Sequence, residues 1–185
     1  MSRVRINWDM DGVLAPLHEA VLGEYNRRYD HDLTAEDMRL YHFGNTPGIR
    51  CSEEEVWEII AEVDYVDIET YPRMVQLALE FEGLGIPSAI VSALTWYPPN
   101  AHAMQKREWV HRFMGRGFPV LFTRDKHWCC RGQDDILIDD KAETVAMWPG
   151  RGILLERPWN RDERDPQIES CPPERLRERL LELTG

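Results

Sequence analysis

Two aspartates, one residue apart at the end of an alternating apolar run, limit what this chain can fold into more than anything else in it. The run is V-R-I-N-W-D-M-D-G-V-L, Val4 to Leu14, in which Val4, Ile6 and Trp8 alternate with polar residues as strand side chains do. Extended backbone turns residues two apart to the same side, so Asp9 and Asp11 share one small volume. Gly12 then permits a sharp turn. Carboxylates held together repel unless a cation lies between them or one keeps its proton. That pairing points to a metal-assisted site at a strand end. A helix N-cap or a solvated turn is the plainer reading of a lone D-x-D-G, and the rest of the chain has to decide.

Further along, apolar spacing predicts helices over 16–29, 53–63, 72–84 and 101–114, and one opened by Pro172-Pro173 with Leu176, Leu180 and Leu183 on one face. Ser52-Glu53-Glu54-Glu55 has the form of a capping box. Short apolar runs at 87–92, 119–122, 135–138 and 152–155 predict further strands, the first ending in Ser92 and the third in Asp139-Asp140. Strands separated by helices indicate an α/β fold with a largely parallel sheet. Residues 15–72 carry helices without a convincing strand, so the expected division is a core of 1–14 and 73–185 and a helical cap of 15–72. The charged, proline-containing stretch 157–171 reads as a surface loop or the edge of a lid.

Net charge is −11, from 22 basic and 33 acidic residues. That opposes broad binding to duplex nucleic acid, where neutralised phosphates dominate affinity, yet leaves room for a small anion in a local cationic pocket. No apolar run approaches the ~18–20 residues that span a bilayer, and no membrane partner is expected. Cys51, Cys129, Cys130 and Cys171 show no C-x-x-C spacing. Zinc is therefore not indicated, and reduced thiols and a cytoplasmic location are the default. Trp128-Cys129-Cys130 is expected to pack.

In parallel sheets, ligands gather at the carboxyl ends of the strands. Asp9, Asp11, Ser92, Asp139 and Asp140 all fall there, and Lys106 is placed at the start of the helical region after Ser92. Singly each has a bland explanation: a cap, a turn, a solvated lysine. Together and in this order they favour chemistry.

These residues resemble the haloacid dehalogenase-type phosphatase superfamily, with its D-x-D-G-[VT], a Ser or Thr ending the second strand, a Lys, and a late acidic pair. W-D-M-D-G-V-L-A at Trp8–Ala15, Q-K-R-E-W-V at Gln105–Val110 and T-R-D-K…D-I-L-I-D-D at Thr123–Asp140 are similar to the 5'(3')-deoxyribonucleotidase family. The resemblance implies a Rossmann-like parallel sheet with a small helical cap after the first strand, and Mg²⁺-dependent hydrolysis of (deoxy)nucleoside monophosphates. Asp9 would be the nucleophile and Asp11 the acid and base. Mg²⁺ would be held by the Asp9 carboxylate, the Asp11 backbone carbonyl and Asp139, with Asp140 binding or orienting its water shell. Ser92 and Lys106 would hold the phosphoryl oxygens, with the backbone amides of Met10 and Ala93 as further contacts. Arg124, Lys126 and Lys141 would lie near the substrate phosphate, although Arg124 and Lys126 read equally well as surface partners of Asp134 or Asp135.

The chain departs from the family at Leu17, aligned with its base-stacking aromatic; at Lys141, where the family has Arg; and at Ser92-Ala93-Leu94 in place of T-S-P. Base stacking would then fall to Tyr41, Phe43, Trp96 or Tyr97 in breaker-rich loops, with Tyr65 a further candidate and Trp57 expected in the core. Two rivals remain: a phosphatase for another small ester or a nucleic-acid 3' end, and a receiver-type switch, which orders its acids and lysine differently. The reading leaves room for a homodimer.

Overall fold

The computed structural model describes residues 4–94 and 99–185. Its centre is a sheet of six parallel strands in the order β3-β2-β1-β4-β5-β6. The strands are β1 (Ile6–Trp8), β2 (Ser88–Ser92), β3 (Val120–Phe122), β4 (Ile136–Asp139), β5 (Arg151–Leu155) and β6 (Ser170–Cys171). β1, β2 and β4 are buried along their whole length, which is why they read as apolar runs rather than as one wet and one dry face. The chain goes from β1 outward to β2 and β3, then crosses back to lay β4 against the free side of β1. The crevice of such a sheet opens where the direction of winding reverses. Here that point is between β1 and β4, at Asp9 and Asp139.

Among the described residues six α-helices complete the fold: α1 (Leu17–Tyr29), α2 (Glu53–Glu62), α3 (Pro72–Gly83), α4 (Pro99–Phe113), α5 (Ala142–Met147) and α6 (Leu176–Thr184). The capping box is present, since Ser52 Oγ accepts from Glu55 N–H at 3.2 Å and Glu55 accepts from Ser52 N–H at 2.6 Å. Between β1 and α3, α1, α2 and two 3-10 turns form an insertion with its own apolar cluster, including Val21, Leu22, Tyr25, Met38 and Ile59. The core strands and α3, α4 and α6 bury a larger one around Ile6, Trp8, Phe81, Trp109 and Leu180. Trp109 joins the two regions. It is fully buried, and its indole donates to the Ile68 carbonyl at 2.8 Å, fixing the returning chain against α4.

Several local expectations change. Residues 157–171, expected as a surface loop or the edge of a lid, hold a 3-10 turn (Pro158–Glu163) and the edge strand β6. A two-residue strand and the six-residue α5 are too short to leave a periodic signature. The last helix starts at Leu176, because Pro172 first accepts from Arg175 N–H in a tight turn. Trp128 is 79% exposed, so it does not pack as expected. Trp96 and Tyr97 lie outside the described residues.

Replacing Trp109 with Ala removes a buried indole and orphans the Ile68 carbonyl. Chemical denaturation should show a loss of about 3–5 kcal/mol, against under about 0.5 kcal/mol for Leu181→Ala on the exposed side of α6. Equal losses for the two would contradict the packing described.

Candidate active site

β1 delivers Asp9 to the crevice with its backbone N–H donating to Ile138 O at 2.8 Å, and the side chain then accepts from Met10 N–H at 2.7 Å. The next residues close a tight loop in which Leu14 and Ala15 both donate to the Met10 carbonyl. Gly12 sits in it at φ 72°, and a Cβ there would lie 1.9 Å from Asp140 Oδ2. Only glycine satisfies both the backbone angle and that close approach. From the other side, Arg157 clamps the loop: its Nε donates to Gly12 O at 2.7 Å, and its guanidinium lies 3.9 Å over the Tyr71 ring.

β4 brings the second pair. Asp139 accepts from Lys141 N–H at 2.9 Å through Oδ1. Asp140 Oδ2 accepts from the Trp159 indole at 2.6 Å, and the Asn160 amide bridges the carbonyls of Asp140 and Leu155 at 2.9 and 2.8 Å. One oxygen each of Asp9, Asp139 and Asp140 lies within 4.8 Å of the others, and all three residues are buried. Lys126 Nζ spans two of them, at 2.7 Å from both Asp9 Oδ1 and Asp139 Oδ2.

The electrostatics of this cluster are unbalanced. Burial pushes the Asp9 carboxyl up to about 7, with Lys126 opposing the rise and Asp139 and Asp11 adding to it. Burial, then Asp139 and Asp9, push Asp140 well above the usual carboxylate range. Burial alone would depress Lys126, but Asp139 and Asp9 hold it above an ordinary lysine. If all three acids ionise, Lys126 leaves two negative charges unmatched, and Asp140 Oδ1 is buried with no hydrogen-bond partner. Clustered oxygen donors with that deficit fit a hard divalent cation such as Mg²⁺.

The two lysines face different acids, Lys106 meeting Asp11 and Lys126 meeting Asp9 and Asp139. Lys106 lies in the middle of α4, not at its start, and is fully buried beneath the Tyr65 ring at 4.8 Å. Its ammonium donates to Ser92 Oγ at 2.9 Å, to Ala93 O at 2.7 Å and to Asp11 Oδ2. An ammonium has three hydrogens, so Lys106 has none left for a phosphoryl group. Ser92 is likewise fully buried. Lys126 uses two hydrogens on the acids and lines the open cleft. It is no surface partner of Asp134 or Asp135, which pair with Arg151, and with Arg5 and Arg131, respectively. The Asp11 side chain, turned to Lys106, stands outside the three-acid cluster.

Above the acids opens a cleft of about 720 Å³ between the strand ends and the insertion. Ala93, Arg124, Lys126, Lys141, Tyr41 and Phe43 all line it. Arg124 donates to Leu94 O at 3.4 Å, and Lys141 lies 5.4 Å over the Tyr41 ring and 3.2 Å from Glu143. Trp57 is not in the core but 42% exposed on the cleft wall, because Val56 and Ile59 take the inward face of α2. Tyr65 is fully buried and offers no stacking surface. His18, Arg157, Trp159 and Asn160 are additions that the sequence did not suggest. The His18 ring stacks on Trp159 at 4.3 Å, and burial lowers its pKa to about 4, so it is neutral at physiological pH. The signal for Trp159 and Asn160 was available: R-P-W-N follows the end of β5, a strand end like those already weighed.

A family profile described as 5' nucleotidase, deoxy (pyrimidine), cytosolic type C protein matches residues 3–169. The chain belongs to that family. Its members are phosphoric monoester hydrolases, and this chain is one. Solved structures agree on the haloacid dehalogenase fold at low identity. A haloacid dehalogenase-superfamily hydrolase from Ehrlichia chaffeensis superposes with a TM-score of 0.59 at 12% identity, covering 98% of this chain and 97% of the other. A hydrolase from Pseudomonas syringae gives 0.56 at 13% identity, covering 99% and 100%. A haloacid dehalogenase-family hydrolase from Deinococcus radiodurans, with bound phosphate and sodium, gives 0.54 at 15%, covering 97% and 95%. No curated protein sequence gives a significant match. No helix among the described residues of this nucleotidase-family chain is long and apolar enough to cross a membrane.

Without a divalent cation the folded chain keeps a proton on Asp9 up to about pH 7, against an ordinary value of 3.8. A raised folded-state pKa contributes stability below the ordinary value that is lost as pH rises toward the folded one. A bound cation cancels that loss. Saturating Mg²⁺ should therefore raise the thermal midpoint more at about pH 7 than at about pH 5. A shift of equal size at both, read by scanning calorimetry, would contradict the charge deficit.

Proposed function

We propose that the protein hydrolyses nucleoside monophosphates, deoxypyrimidine nucleotides among them, through a phosphoryl group carried on Asp9, with Mg²⁺ as cofactor. The observation that carries this reading is the placement of Asp9: buried, in contact with Lys126, and at the floor of a cleft whose walls include Tyr41, Phe43 and Trp57. The description of the matching family supports the substrate class, and residues 15–72, carrying those aromatics, would serve as the cap.

The Asp9 carboxylate attacks phosphorus, forming an acyl phosphate as the bond to the nucleoside oxygen breaks. Asp11 gives its proton to that leaving oxygen and then takes one from the water that attacks phosphorus and frees Asp9. Its side chain, 15% exposed and anchored on Lys106, stands beside the nucleophile without joining the metal cluster. The third hydrogen of Lys126 and the Lys141 and Arg124 side chains face the cleft where phosphoryl oxygens would lie, supplying the charge stabilisation that dominates phosphoryl transfer. Lys106 and Ser92 act one step back, by holding Asp11. Mg²⁺ would be held by the carboxylates of Asp9 and Asp139 and the Asp11 carbonyl, with Asp140 toward its waters. When bound, it neutralises charge on Asp9 and on the phosphate. Aromatic walls suit a planar base, and the family description supports a cytosolic location.

Phosphate release from a panel of deoxy- and ribonucleoside monophosphates and sugar phosphates, with and without Mg²⁺, tests the reading. Release from the nucleotides that stops on chelation is expected; release from sugar phosphates alone would overturn the substrate class. Asp9→Asn should lower turnover by at least about 10⁴-fold, and Lys126→Met by about 10²–10³-fold. Asp11→Asn should be nearly inactive while still binding Mg²⁺, whereas Asp139→Ala should lose it. Equal loss of Mg²⁺ binding in both would remove Asp11 from the acid–base role.

A further inference from the structure

His18 is a neutral polar side chain set against the acid cluster that the reaction above does not use. It belongs to the first turn of α1, is 8% exposed, and lines the cleft. Two neighbours fix its ring plane: Trp159, stacked at 4.3 Å and 12°, and Tyr41, edge-on at 5.2 Å and 71°. Trp159 is itself held by its bond to Asp140. In this setting His18 Nδ1 lies 3.9 Å from Asp140 Oδ2 and has no hydrogen-bond partner, and Asp140 Oδ1 has none either. At 3.9 Å the two groups are not bonded to each other.

The Tyr41 backbone pulls the ring's pKa up against the effect of burial. With the ring's proton on Nε2, the buried and unpartnered Nδ1 keeps a lone pair. A lone pair facing a carboxylate is unfavourable unless a donor lies between them, and buried acceptors without partners are rare. The spacing suits a bridging water. Direct ligation is not what the geometry offers, since the ligand atoms close enough to share one ion come from Asp9, Asp139 and Asp140 alone among the described residues.

We propose that His18 is a positioning residue for the cation. Its Nδ1 accepts a hydrogen bond from a water of the Mg²⁺ coordination shell, and Asp140 accepts the other hydrogen of that water. This inference rests on the cation site proposed above. It also gives the insertion a stake in metal binding, because the ring that holds the water is itself held by Tyr41, a residue of the insertion that lines the substrate cleft.

The test is binding of Mn²⁺ to the free enzyme, followed by electron paramagnetic resonance, with Mg²⁺ by competition. His18→Phe keeps an aromatic ring for Trp159 and Tyr41 and loses the acceptor. Its dissociation constants should rise by about 10–100-fold, while its thermal midpoint in chelator stays that of wild type. His18→Gln, which restores an acceptor, should recover most of the affinity. Wild-type affinity in His18→Phe, or a glutamine variant as weak as the phenylalanine one, would overturn the proposal. Asp139→Ala separates this failure from that of the site itself. Binding lost there but intact in His18→Phe rejects His18 alone, and no binding by wild type rejects both.

Discussion

Three carboxylates buried against one ammonium form the constraint on which the rest of this structure depends. Asp9, Asp139 and Asp140 are out of water and within reach of one another, and Lys126 balances only one of them. Desolvation and mutual repulsion both work against ionising such a group. The fold can hold them together because strongly paired, wholly buried strands deliver them. β1 and β4 are hydrogen-bonded neighbours at the middle of the sheet; Asp9 directly follows the first and Asp139 ends the second. The resulting excess of negative charge fits a hard divalent cation.

The surroundings fix the acids more than they neutralise them. Gly12 lets the β1 loop pass against the Asp140 carboxylate, and Arg157 grips that loop through two carbonyls, those of Gly12 and Val13. Trp159 and Asn160 hold the side chain and backbone of Asp140. Lys106 directs its hydrogens to Ser92, Ala93 and Asp11, which ties the ends of β1 and β2 together and holds the Asp11 side chain in place. Asp9 and Asp11 are thus separated by partner: one faces Lys126 and the other acids, the other faces Lys106. Adjacent carboxylates can take different roles when their environments differ in this way.

How much of this was legible in the sequence depends on how local each feature is. The strand ends were readable because buried parallel strands are short apolar runs, and Asp9, Ser92 and Asp139 each terminate one. That Lys106 turns to Asp11 while Lys126 turns to Asp9 and Asp139 was not readable. A lysine's reach depends on the phase of its helix or turn, and both sequence contexts are equally polar. Trp57 failed for a related reason: neighbours on a helix differ by about 100°, so the inward turn of Val56 carries Trp57 to the cleft wall. His18 and Trp159 meet from opposite ends of the chain, as do Arg157 and Gly12, and no local pattern records such a meeting. The extent of the cleft likewise depends on how the insertion lies over the strand ends, which the order of elements does not specify.

Whether the carboxylate cluster takes a divalent cation is the most direct question to put to this account, and anomalous diffraction from crystals soaked in Mn²⁺ answers it. The account predicts a single strong peak in contact with the carboxylates of Asp9 and Asp139, with Asp140 toward its far side. A cluster without a peak, its acids matched by Lys126 alone under the same soak, would contradict it.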